Sequence, residues 1–192
     1  ESWIDLSYGD DKCRIIMTGG DKVPGHLKSK LQKKFPNTRF FQFYGPSECS
    51  ILASGFENKG DFENHLLPLG SRFKHCELLV FTNNEEQAAP FHEGEIVICG
   101  PAVGLGYANL ENAEKFFNYK GKKAYRTGDL GYFDHIGNLF FRGRKDKQIK
   151  INGQRIELSR IETALSEWSS IEHWVAVTDG IQLYAFAKSK NP

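Results

Sequence analysis

The alternation of apolar and polar residues changes period three times along the chain, and each change predicts a different kind of element. "CRIIM", Cys13 to Met17, is a short apolar run that ends in the double glycine Gly19-Gly20, the pattern of a buried strand entering a turn. In "VPGHLKSKLQKKF" the residues Leu27, Leu31 and Phe35 recur at helical spacing with lysines on the other side, which predicts an amphipathic helix with a solvated basic face. "TRFFQF" predicts a second strand, running into the loop "YGPSE". Strand, helix, strand is a βαβ-type unit and places that loop at a strand end.

From Leu69 the pattern becomes "CELLVF", "GEIVICG", "DLGYFD" and "GNLFFRG", short strands parted by turn signals at Asn83-Asn84 and at His135 to Asn138. Strands of this length and spacing predict a small antiparallel β-barrel or sandwich. One helix is predicted among them, over "NLENAEKFF", with Ala113, Phe116 and Phe117 on one face. After Gly143 an alternating run, "QIKINGQRI", carries Asn152-Gly153 at its centre, a strong hairpin signal because both turn positions favour positive φ. Ser159 and Glu162 then form a capping box ahead of a helix with Ile161, Leu165 and Trp168 as its core stripe. A second hairpin is predicted around Asp179-Gly180. The expected class is therefore α/β plus β: the end of an α/β core layer over residues 1–66, the barrel over 67–143, and a ββαββ unit over 144–192. Gly143 to Asp146 is the expected joint.

Charge narrows the partners. The chain has 25 basic and 24 acidic residues, a net charge of +1, where a protein built to bind a polyphosphate carries a basic excess. Nucleic acid is not an expected partner, although "FRGRKDKQIKING", Phe141 to Gly153, looks like a basic patch; Glu157, Glu162 and Asp146 lie close to it in sequence. Four well-separated cysteines, with no paired spacing, give neither a zinc site nor a disulfide framework; Cys76 and Cys99 in apolar runs read as buried free thiols. No apolar run reaches membrane-spanning length and no signal pattern opens the chain, so the expected location is the cytoplasm. The start without methionine and the ends close to strand-like runs suggest a piece of something longer.

Three motifs could carry chemistry. In "FQFYGPSE" a tyrosine face, a glycine, a hydroxyl and a carboxylate are held in one tight turn, suited to a base, a phosphate oxygen and a magnesium ion; an ordinary Gly-Pro turn with a capping Ser-Glu is the alternative. In "YRTGDL" the carboxylate of Asp129 follows a glycine turn and could accept from both hydroxyls of a ribose, or could simply shape the turn. In the basic stretch Arg144 follows Gly143 and could donate to ribose or phosphate oxygens, or could belong to a solvated strand.

Taken in order, "TGGD", "FYGPSE", "GEIVICGPAVGLGY" and "YRTGDLGYFDHIGNLFFRGRKDKQIKINGQRIE" resemble the AMP-forming adenylating enzymes: acyl-CoA synthetases, adenylation domains of nonribosomal peptide synthetases and D-alanine–carrier protein ligases. The run after Arg144 is closer to the amino-acid-activating branch. The resemblance implies an ATP-dependent ligase that activates a carboxylic acid, an amino acid first among the candidates, as acyl-AMP and passes it to a pantetheine thiol on a carrier protein or on CoA. It implies ATP/AMP and Mg²⁺ as ligands. Tyr44 would stack on adenine, with Gly19, Gly20 and Asp21 as the other wall of the slot and Gln42 at the adenine amine. Gly45 lets the nucleotide approach closely, Ser47 meets the α-phosphate, and Glu48 holds Mg²⁺. Asp129 and Arg144 would hold the ribose. Asp146 would be the pivot of a swivelling C-terminal domain, and Gly153 would lie in the hairpin facing the thiol. The acyl pocket falls on Ile16, Thr18, Phe43, Ile51 and Leu52, mainly apolar positions that imply an uncharged acid.

The family's phosphate loop with its lysine precedes the first residue here, and its C-terminal catalytic lysine follows the last. The expectation is a chain inactive by itself, part of an active ligase. A non-catalytic nucleotide-binding or protein-interaction module of the same descent is the alternative.

Overall fold

A computed structural model describes residues 13–20, 23, 25–60, 67–83, 85–108, 113–146, 148–151, 154–166, 168, 171–178 and 182–189. The chain forms two compact units, Glu1–Gly143 and Arg144–Pro192. Asp21, the Asn152-Gly153 turn and the Asp179-Gly180 turn lie outside the described residues.

The first unit opens as its apolar pattern predicts. Strand β1 (Ile15–Gly19) pairs in parallel with β2 (Arg39–Tyr44), and helix α1 (Gly25–Lys34) connects them. The crossover works because α1 has one apolar stripe: Leu27 and Leu31 pack with Ile16 on a buried cluster of Val23, Phe40 and Leu67. Two further strands, β3 (Ser54–Asn58) and β4 (Ser71–Arg72), extend the sheet antiparallel in the order β1-β2-β3-β4.

The remainder of this unit is a five-stranded antiparallel sheet made of β5 (Glu77–Phe81), β6 (Gly94–Cys99), β7 (Phe116–Tyr119), β8 (Lys122–Phe133) and β9 (Leu139–Arg144). Its order is β5-β6-β8-β7, with β9 also pairing β8. This sheet is open; it does not close into the expected barrel. Central β6 is buried at every position, and both of its faces carry core. Ile96 and Ile98 join Leu78, Val80 and Tyr125 in a cluster that reaches Cys49, Ala53 and Leu69, while Val97 and Cys99 join Leu79, Phe81 and Ala124. Of the helix predicted over "NLENAEKFF", the described residues form a single 3₁₀ turn, Ala113–Lys115, followed at once by β7. Pairing of Phe116 with Tyr125 and of Phe117 with Ala124 puts the two phenylalanines on opposite faces, each into one of the two clusters. Two buried destinations outweigh a shared helical face.

In the second unit β10 (Gln148–Ile151) and β11 (Gln154–Glu157) form one hairpin, and β12 (Ile171–Thr178) and β13 (Leu183–Ser189) another. Between them α2 (Leu158–Ser166) lies against β12. The order is the ββαββ expected. Ser159 falls inside the first turn of α2, and its side chain is outside the described part, so the capping box is not tested. Ile161 and Leu165 are half-buried, but Trp168, expected in the core, is 62% exposed just past the helix end.

Candidate active site

The carboxyl ends of parallel strands are where open α/β sheets bind ligands. Here Gly19 pairs with Phe43 at the last rung of β1 and β2, so Gly20 and Tyr44 emerge side by side. Gly20 has φ of +84°, which glycine adopts without strain.

The loop after Tyr44 closes on itself. Ala53 N donates to Tyr44 O at 2.8 Å, and Cys49 N and Ile51 N both donate to Pro46 O at 3.0 and 3.1 Å. Inside this ring Ser47–Cys49 form one 3₁₀ turn, with Ser47 exposed and Cys49 fully buried as the anchor. Gly45 is required by the packing: a Cβ there would stand 2.2 Å from Ile51 O. Ser50 and Ile51 both take positive φ, 58° and 73°. For β-branched Ile51 that conformation is strained, and it leaves the side chain 66% exposed, beside Leu52 at 41%.

Asp129 is presented by a bulge rather than by a turn. On β8 the three residues Thr127, Gly128 and Asp129 face the single Ile96 of β6, between the pairs Arg126–Val97 and Leu130–Glu95. The bulge is fully braced. Thr127 Oγ1 donates to Ile96 O at 2.7 Å and accepts from Asp129 N at 3.0 Å, and Gly128 N, at φ of +73°, donates to Glu95 Oε1 at 3.2 Å. Arg126, stacked over Phe117, donates to the other oxygen of Glu95 and to Glu85. Asp129 is 9% exposed, and Tyr44 Oη donates to its Oδ2 at 2.7 Å. Two motifs 85 residues apart thus meet through one hydrogen bond.

Glu48 is placed from a third segment. Tyr107 Oη donates to Glu48 Oε1 at 2.7 Å and lies 2.9 Å from the hydroxyl of Tyr125. The backbone is joined as well, with Gly104 N donating to Glu48 O at 2.9 Å and Ser50 Oγ to Ala102 O at 3.1 Å. Both tyrosines sit inside quoted motifs, "GPAVGLGY" and "YRTGDL", but no local pattern marks them as partners of a carboxylate 59 residues upstream.

Other expected residues are distributed less simply. Gln42 is on the same face of β2 as Tyr44, 2% exposed, and its Oε1 has no hydrogen-bond partner among the described residues. The five acyl-pocket positions are not brought to one surface. By register Ile16 and Thr18 share the α1 face with Phe40 and Gln42, whereas Phe43 points to the other face and stacks with Phe41. Ile16 packs in the core under α1. In the second unit Arg144 clamps Asp146 through two bonds, at 2.7 and 2.8 Å, and its Nη2 reaches Gln148 Oε1 at 2.7 Å.

Burial pushes the Cys49 thiol up to about 12, helped by the neighbouring Glu48 charge, and pushes Cys99 to about 11 and Cys76 upward. These are packing groups and not nucleophiles. Among the described residues no cluster of three or more His, Cys, Asp or Glu forms a metal cage, and no helix is long and apolar enough to cross a membrane. A lone carboxylate such as Glu48 still suits Mg²⁺, which is commonly held by one or two carboxylates together with substrate phosphates.

The chain belongs to the AMP-binding enzyme family, whose model matches residues 7–108. It is 34% identical over 181 residues to a D-alanine–D-alanyl carrier protein ligase of Bacillus licheniformis, covering 91% of this chain and 36% of that protein. Against the ligase of the same description from Lactiplantibacillus plantarum the identity is 36% over 162 residues, 82% of this chain and 32% of the relative. Among solved structures, an NRPS protein containing adenylation and PCP domains, PA1221, superimposes with a TM-score of 0.84 at 28% identity, covering 98% of this chain and 41% of its own. The Vibrio cholerae adenylation domain AlmE, in complex with glycyl-adenosine-5'-phosphate, gives a TM-score of 0.81 at 26% identity, with 91% and 35% covered. The chain therefore spans about a third of the length of the curated relatives it matches.

Proposed function

We propose that the protein carrying this sequence is an ATP-dependent ligase that joins an uncharged amino acid to AMP and then transfers the acyl group to the pantetheine thiol of a carrier protein. The observation that carries this reading is the bond from Tyr44 to the buried carboxylate of Asp129, which sets a flat aromatic face beside an acceptor for ribose hydroxyls. The names of the relatives favour an amino acid and a carrier protein over a fatty acid and CoA.

In the first step a substrate carboxylate oxygen attacks the α-phosphorus of ATP, and pyrophosphate leaves. In the second a thiol attacks the acyl carbon, and AMP leaves with the bonding electron pair. Tyr44 stacks on adenine opposite Gly20, and the unpartnered Gln42 Oε1 is an acceptor for the adenine amine. Asp129 orients the ribose, and Arg144 is the further ribose contact that the family resemblance implies. Ser47 donates to the α-phosphate, with Gly45 keeping the approach clear. Glu48 would hold Mg²⁺, which when bound offsets the repulsion between the two reacting anions. Phe43, Ile51 and Leu52 supply apolar surface for the acyl group. Asp146 is the pivot between the half-reactions, and residues 144–192 the part that turns.

Amino-acid-dependent exchange of pyrophosphate into ATP by the complete protein, over a panel including D-alanine, glycine and larger apolar acids, tests this. Exchange with an uncharged amino acid, followed by mass-detected loading of a carrier protein, is expected. Absence of exchange with every acid would overturn it.

A further inference from the structure

The contact between Tyr107 and Glu48 is more than packing. An ionised carboxylate only accepts hydrogen bonds, so the single proton of Tyr107 is committed to Glu48 Oε1 at 2.7 Å. The 2.9 Å contact with Tyr125 then has one solution: Tyr125 donates to Tyr107. The result is a directed chain, Tyr125 to Tyr107 to Glu48, in which each bond polarises the next.

The chain is fixed at its far end. Tyr125 is fully buried on β8, with Phe116 wedged between the two tyrosines, edge-on to Tyr107 at 5.1 Å and 4.8 Å from Tyr125. The loop carrying Tyr107 is fastened to the Glu48 turn by the Gly104 and Ser50 bonds. Glu48 itself is half-buried on a one-turn helix.

We propose that Tyr107, backed by Tyr125, is a positioning residue that holds the Glu48 carboxylate in the orientation in which it receives the divalent cation. The inference rests on the reading of Glu48 as the metal carboxylate. A cation bound by one protein carboxylate has no second protein ligand to correct a wrong rotamer, so preorganisation comes from groups behind the ligand.

The test uses the complete protein with Mn²⁺ as probe, followed by electron paramagnetic resonance in the presence of ATP, and AMP binding by calorimetry without metal. Tyr107→Phe is expected to weaken Mn²⁺ binding about three- to tenfold, a fraction of the charged hydrogen bond it removes, with AMP affinity within about twofold. Tyr125→Phe shifts Mn²⁺ affinity less, in the same direction, and carries the test if Tyr107→Phe does not fold. In a Glu48→Gln background neither tyrosine change has a further effect. Wild-type Mn²⁺ affinity in both tyrosine variants, with Glu48→Gln impaired, overturns the positioning role alone, as do losses that add fully to that of Glu48→Gln. Unchanged Mn²⁺ affinity in Glu48→Gln overturns the metal reading, and the positioning role with it.

Discussion

Tyr44 Oη and Asp129 Oδ2 are 2.7 Å apart, and this bond ties the end of β2 in one sheet to the bulge of β8 in another. Either group alone would be a common surface feature. Joined, they hold an aromatic ring at a fixed distance from a buried carboxylate.

Tyr44→Phe keeps the ring and removes the tie. AMP affinity is expected to fall about three- to tenfold, a fraction of the one hydrogen bond to a charged group that is removed. Asp129→Asn should cost more and abolish the preference for AMP over 2'-deoxy-AMP. Calorimetric titration of both nucleotides measures this, and a retained preference in Asp129→Asn would count against the ribose role.

Gln42 offers a test with opposite signs. A buried acceptor without a partner costs roughly 1–3 kcal/mol of desolvation, so Gln42→Leu should leave the melting temperature unchanged or raise it. AMP affinity should fall. Lower stability with unaltered AMP binding would make Gln42 a structural residue only.

The brace behind Asp129 should matter as well. Glu95 is 8% exposed and accepts from both Gly128 N and Arg126. Glu95→Gln can accept through one oxygen only and turns its amide donor towards another donor. A loss of about 1–3 kcal/mol in denaturant unfolding is expected, with weaker AMP binding as the bulge loosens.

The thiols predict an alkaline limit. Cys49 and Cys99 ionise far above the ordinary value of 9.0 in the folded state, at about 12 and about 11. Above pH 9 the unfolded chain loses thiol protons that the native chain keeps, so stability is intact below that pH and declines as pH rises towards 11–12. At pH 8 a disulfide exchange reagent should modify Cys13 readily, and Cys49, Cys76 and Cys99 only after denaturation. Rapid modification of Cys49 in the native protein would contradict its burial.

What the sequence disclosed follows the range of the forces involved. β1, α1, β2, β5 and β6 were legible because each writes its burial into its own period. β3 was not: "SGFEN" is poor strand material, and it becomes a strand because Gly55 and Phe56 lie opposite Phe43 and Gln42. β7 was hidden for the same reason. At the site, the motifs named Tyr44, Glu48 and Asp129, but their mutual bonds, and the parts played by Tyr107, Tyr125 and Glu95, join residues 18 to 85 positions apart. Single-residue spacing carries no trace of such contacts.

The bulge in β8 has a further consequence, for which changes of length this strand can survive. Three residues opposite one add two to β8, an even number, so Tyr125 before it and Phe133 after it face the same cluster. Removing Gly128 alone would make the count odd. Every side chain on one flank would then change sides, with Tyr125 leaving the core and Arg126 entering it. Insertions and deletions between Arg126 and Leu130 should therefore be tolerated most easily in pairs, a single change needing a one-residue bulge to restore the faces, a constraint imposed by the sheet and independent of the nucleotide.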